Sequence, residues 1–115
     1  MFLEKSVIIK LKGKAKESYE KLKKRNDKEA KSILNSFERV KEILKKDPQY
    51  GDPIKKNLIP LTFEREGVKN LYRVELSNYW RMLYTLKGSE VEILLFILSI
   101  SDHKDYDKLF GYRKR

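Results

Sequence analysis

The 115-residue chain suits one domain, residues 1–115, and is 40% hydrophobic and 38% charged, with no cysteine and one histidine. A chain without cysteine has neither a disulfide scaffold nor a thiolate metal site, and a lone histidine is too few for a His-rich metal centre. Lys and Arg outnumber Asp and Glu by 27 to 17, a formal charge of +10, which points to a polyanionic partner: nucleic acid, an acidic protein or a membrane surface.

The opening "MFLEKSVIIKLKGK" carries Glu4, Lys5 and Lys10 and does not read as a signal peptide. Within it "SVIIKLK" (6–12) alternates, with Ile9 and Leu11 on one face and Lys10 and Lys12 on the other, the pattern of a strand with one wet face. Residues 14–25 put Ala15, Tyr19 and Leu22 at helical spacing, and residues 28–46 do the same with Ala30, Ile33, Leu34, Phe37, Val40, Ile43 and Leu44. The short break at Asn26-Asp27 predicts an antiparallel helix pair, stopped at Asp47-Pro48. Residues 48–61 hold all the prolines and read as an ordered loop or a broken edge strand. Residues 62–70 suggest a short hairpin around Glu66-Gly67, and 70–77 and 79–87 read as strands turning at Ser77-Asn78. "VEILLFILSI" (91–100) is apolar on both faces, as an interior strand is, and its run Ile93 to Leu98 is too short to span a bilayer. Asp102 is placed to cap a short helix through Leu109 and Phe110, and the chain ends in a basic tail. The order β-α-α-β-β-β predicts an α+β domain: an antiparallel helix pair packed on one face of a mostly antiparallel sheet, the other face left partly open. A cytoplasmic chain is expected. Its Lys/Glu-rich composition, with one glutamine, fits a thermophile.

"LYRVELSNYWRMLYTL" (71–86) sets one arginine near the middle of each of two strands. Alternation turns Tyr72, Val74, Leu76, Trp80, Met82, Tyr84 and Leu86 towards the helices, and leaves Arg73 and Arg81 sharing the opposite face with Tyr79. Two cations held near each other cost free energy unless an anion lies between them. The pair therefore reads as an anion seat. An ordinary structural account pairs Arg73 with Glu75, Glu64 or Glu66.

The element order, the Tyr72-Arg73-Val74 strand, the Trp80-Arg81-Met82-Leu83-Tyr84 strand, the buried "EILLFILSI" and the following His103-Lys104 and Tyr106 together resemble the RelE/ParE superfamily of type II toxins. The resemblance covers essentially the whole chain; the loop "GDPIKKNLIP" (51–60) is longer than its counterpart in many members. It implies a RelE-like fold. It also implies a toxin that cleaves mRNA in the ribosomal A site and inhibits translation, neutralised by an acidic, partly disordered antitoxin. The ParE branch shares the fold but poisons DNA gyrase, so a non-enzymatic inhibitor, or a relative that only binds its antitoxin or nucleic acid, is the alternative.

Metal-free RNA cleavage needs a base for the 2′-hydroxyl, cations for the growing charge on phosphorus and an acid for the departing 5′-oxygen; it calls for no cofactor. Arg81 is the expected phosphate ligand, since a planar fork matches phosphate oxygens, and Arg73 is the second cation. His103 suits proton transfer because an imidazole titrates near neutrality; a surface histidine beside Asp102 is the plain alternative. Tyr106 is positioned to stack on a base or hold a proton, or else to pack over the sheet rim. Lys55, Lys56, Tyr79, Lys104, Lys108 and Arg113 are the candidate RNA contacts; for the lysines and the tail, simple solvation is the competing account.

Overall fold

The computed structural model describes residues 5–89 and 91–111. Strand β1 (Ser6–Leu11) is followed by helices α1 (Gly13–Lys24) and α2 (Lys28–Lys46). A two-residue strand β2 (Asp52–Pro53), a 3-10 turn (Lys56–Leu58) and a short helix α3 (Leu61–Arg65) lead to β3 (Tyr72–Glu75). After a second 3-10 turn (Ser77–Tyr79) come β4 (Arg81–Gly88), β5 (Glu92–Ser101) and α4 (His103–Gly111). The strands form one mixed sheet in the order β1-β5-β4-β3-β2. The β1–β5 pair is parallel and the other pairs are antiparallel. The molecule is an α+β fold, with β5 in the sheet interior as its two-sided apolar sequence requires.

Gly13 takes a φ of +47°, turning the chain out of β1 into α1. Arg25 lays its guanidinium on Asp27 at 2.9 and 2.8 Å and on Glu29 at 2.8 Å. Asp27 in turn accepts from the Ala30 amide at 3.2 Å, capping α2. Tyr19 of α1 packs on Phe37 of α2 with ring centroids 5.4 Å apart. The main core lies between these helices and one sheet face. Phe37, Leu44, Tyr84, Leu95 and Ile97, the residues most expected inside, are all buried there.

The second face is not open. Ile59, Phe63, Leu71, Leu83, Leu98 and Tyr106 form a smaller core upon it, beneath α3 and α4. The expected hairpin around Glu66-Gly67 is absent: residues 61–65 are helical and Gly67, at φ +87°, closes the turn after them. Phe63 drives this choice, because a helical turn aims its ring at the sheet where a hairpin tip would leave it in water.

A bulge in β5 decides which residues reach that face. Leu83 lies opposite Ser99, but its neighbour Tyr84 lies opposite Ile97, so Leu98 is the extra residue. Before the bulge Leu95 and Ile97 face the helices; after it Ile100 does. Strict alternation would have turned Ile100 to the second face. The shift instead brings Ser101 opposite Arg81.

Candidate functional site

Register builds the site. Glu75 lies opposite Arg81, and Arg81 lies opposite Ser101, so the three share a rung across β3, β4 and β5. Arg73 stands two residues before Glu75 on the same face, with Asp52 of β2 opposite it. The two arginines are thus brought to one side of the sheet, as strand alternation requires.

Their pairing differs from expectation. Glu75 contacts Arg81, at 3.5 Å, and Arg73 contacts Asp52, at 3.6 Å. Direct cross-strand opposition wins over i, i+2 neighbours on one strand, whose side chains stand a full pleat apart. Both contacts are longer than a charge-assisted hydrogen bond, usually about 2.7–2.9 Å. The arginines are also less open than a solvent-facing strand suggests: their side chains are 34% and 22% exposed for Arg73 and Arg81.

Helix α4 supplies the cover. Asp102 caps it, its carboxylate accepting from the Asp105 amide at 2.9 Å. One turn in, Tyr106 is buried, and the Arg81 guanidinium lies 4.8 Å from its ring centroid, a cation–π distance. The Tyr106 hydroxyl is the leading influence on Arg73: its oxygen holds the guanidinium pKa above the ordinary arginine value against the opposing effect of burial. Tyr106 thus stands against Arg81 through its ring and influences Arg73 through its hydroxyl.

The polar accounting of this region is incomplete. Among the described residues, the buried side-chain nitrogen and oxygen atoms without a hydrogen-bond partner are Arg73 Nε, Arg81 Nε and Ser101 Oγ. All belong to this one cluster. Buried polar groups are ordinarily satisfied, and of these Arg81 Nε has the Glu75 carboxylate at 3.5 Å, beyond hydrogen-bond geometry.

His103 opens α4, two residues beyond Ser101, and is exposed. Its ring sits edge-on to Tyr79 at 6.4 Å. Tyr79 is not on a strand face, as alternation had it. It belongs to the turn between β3 and β4, where Asn78 and Tyr79 both adopt left-handed backbone, with φ of 59° and 62°. An aromatic residue there is unusual, and its side chain is 75% exposed. The turn is anchored from α2: the Ser36 hydroxyl accepts from the Ser77 amide at 3.1 Å, and the Ser32 and Ser77 hydroxyls lie 2.9 Å apart. Ser36 was not legible as a site residue, since a serine inside an apolar helical stripe gives no sign of what it anchors.

The remaining candidates are dispersed. Lys104 and Lys108 are exposed on α4. Lys55 and Lys56 are exposed in the segment following β2, which runs out beside Arg73. Arg113 lies outside the described residues. Sequence reasoning missed Asp52 and Ser101, whose relevance depends wholly on register. Among the described residues, no group of His, Cys, Asp and Glu is arranged to hold a metal ion, and no helix is long and apolar enough to cross a membrane.

Compared with protein-family models, with curated proteins and with solved structures, the chain finds no match.

Proposed function

We propose that the chain is a RelE-like toxin: a ribosome-dependent endoribonuclease that cuts mRNA and is neutralised by an acidic antitoxin. The observation that carries the reading is the placing of Arg73 and Arg81 on one side of the sheet, part-buried and held only by carboxylate contacts of 3.6 and 3.5 Å, with Arg73 Nε and Ser101 Oγ beside them lacking a hydrogen-bond partner. Such a seat offers two planar forks to one anion, and phosphate oxygens match them. The motif resemblance supplies the kind of phosphate.

In the proposed reaction the 2′-oxygen attacks the adjacent phosphorus and loses its proton. The phosphorus–O5′ bond breaks and the O5′ gains a proton, leaving a 2′,3′-cyclic phosphate and a 5′-hydroxyl. Arg81 and Arg73 stabilise the charge that grows on the non-bridging oxygens. Tyr106 positions both arginines. His103, which opens α4 two residues beyond Ser101 and lies edge-on to Tyr79, carries the proton, and the exposed Tyr79 stacks on a nucleobase. Neutralisation follows from the same chemistry: Asp52 and Glu75 already reach the arginines at 3.6 and 3.5 Å, so carboxylates of an acidic partner compete for the phosphate position.

The test is primer extension on mRNA in a translating extract with and without the purified chain. Discrete in-frame cuts in the ribosomal A site are expected. Intact mRNA with inhibited DNA supercoiling would replace this reading with the gyrase-directed one, and intact mRNA with neither effect would leave a binding relative.

A further inference from the structure

A second concavity lies on the same sheet face, at the opposite end of β4 from Arg81. It is a cleft of about 860 Å³ where α3, the turn after it, β4, β5, α4 and the β1–α1 junction meet. Phe63, Val68, Phe96, Leu98 and Leu109 give it an apolar floor. Lys12, Lys14, Lys69 and Lys87 stand around it, against a single carboxylate, Glu66. It shares no residue with the arginine seat. None of those lysines makes an ion pair among the described residues. Lys12 instead folds over the Phe96 ring, its ammonium 4.7 Å from the centroid, so a cation is already held directly above the floor.

We propose that this cleft binds a small amphiphilic anion, with an apolar body on the phenylalanine floor and its charged head among the lysines. The volume falls in the range of small-molecule sites, roughly 300–1,000 Å³. Four lysines around one hollow with a single carboxylate among them repel one another, and an anionic head relieves that cost. An apolar body releases water from half-buried Val68, Phe96 and Leu109. The convergence of separate elements on one hollow fits a compact ligand better than an extended chain laid along a single face. An aryl or acyl group bearing a carboxylate, sulfonate or phosphate has this chemistry.

The probe is 8-anilinonaphthalene-1-sulfonate, followed by fluorescence and by amide chemical shifts of the full chain. One saturable site is expected, with shifts at Val68, Leu86, Phe96 and Leu109 and none at Arg73 or Arg81. Affinity should fall by about tenfold or more in the Lys12→Glu/Lys87→Glu double variant, because like charge then meets the head group. The uncharged N-phenyl-1-naphthylamine should bind by a similar factor more weakly. A thermal melt of the double variant guards against misreading an unfolded protein, and Lys12→Gln/Lys87→Gln, which removes charge without reversing it, should show a smaller loss in the same direction. Absence of saturable binding to the wild-type chain overturns the proposal. So does equal affinity for the uncharged probe, or indifference to the lysine changes. If an acidic amphipathic peptide displaces the dye and binds more tightly than it, the cleft is a peptide groove and the small-ligand assignment is wrong. None of these readouts depends on ribosomes or on Arg81, so they stand or fall apart from the nuclease reading.

Discussion

At the scale of single residues, Arg81 decides the proposed chemistry. Arg81→Ala should reduce cleavage of mRNA on programmed ribosomes by about 100-fold or more, the usual effect of losing one donor aimed at developing charge. Arg81→Lys keeps the charge and loses the fork, so it should recover only part of the rate. Arg73→Ala should do less, since Arg73 faces Asp52 at the sheet edge. Because Arg81 lies against Tyr106, its truncation also removes a cation–π contact of about 0.5–2 kcal/mol and should lower the melting temperature slightly. Full cleavage by a folded Arg81→Ala would sink the assignment. Tyr84 is the structural counterpart. Its hydroxyl donates to the Pro48 carbonyl at 2.7 Å and accepts from the Gly51 amide at 2.9 Å. This ties the proline-rich loop to the core. Gly51 must remain glycine, since a Cβ there would lie 2.9 Å from that hydroxyl and 3.0 Å from the Arg73 carbonyl. Tyr84→Phe leaves both loop groups unpaired and should cost about 1–3 kcal/mol in chemical denaturation. Burial pushes the Tyr84 hydroxyl up from 10.0 to about 12. The fold holds the neutral phenol, so this contribution is complete below pH 10 and is lost as pH rises through 12. The stability gap between wild type and Tyr84→Phe should narrow over that window, and a gap that widens would refute the burial argument.

At the scale of elements, α2 does more than cover the sheet. Through Ser32 and Ser36 it holds the turn that presents Tyr79 in left-handed backbone. Ser36→Ala strands the Ser77 amide and should cost about 1–3 kcal/mol. Hydrogen exchange should quicken across residues 76–80 while the β4 and β5 amides stay protected. Unchanged exchange in the turn would show that the strands alone hold it. Helix α4 plays a similar part from the other side, since Tyr106 and Phe110, with centroids 4.7 Å apart, lay it across the second face between the arginine seat and the lysine-rimmed cleft.

At the scale of the whole molecule, the proposed function makes charge rather than shape govern the first encounter with RNA. A formal charge of +10 should attract single-stranded RNA of any sequence, with an affinity that falls as salt displaces the advantage of counterion release. Filter binding across a salt series should give a log–log slope of about −0.7 for each phosphate contacted. Arg81→Ala should make that slope shallower by about one contact. An identical slope would mean that Arg81 does not meet phosphate in the RNA complex, whatever its effect on rate.

Much of the fold was legible because periodicity is written locally. The apolar stripe of residues 28–46 could bury itself only as a helix, and the doubly apolar run of 91–100 only as an interior strand. The arginine pair was legible for the same reason, since alternation alone puts Arg73 and Arg81 on one face. Their partners were not. Asp52 and Ser101 become neighbours of the arginines through register, and the register of β5 depends on the bulge at Leu98, which no local pattern announces. The covered second face escaped for a related reason. Phe63 and Tyr106 come from short helices far apart along the chain, and neither helix carries an apolar stripe long enough to signal a core. The sequence by itself determined which residues have a buried side and how much charge the surface carries, because those follow from composition and spacing. Which carboxylate each arginine meets, and that Ser101 stands beside Arg81, followed from the fold alone, because those depend on pairings between strands distant in the chain.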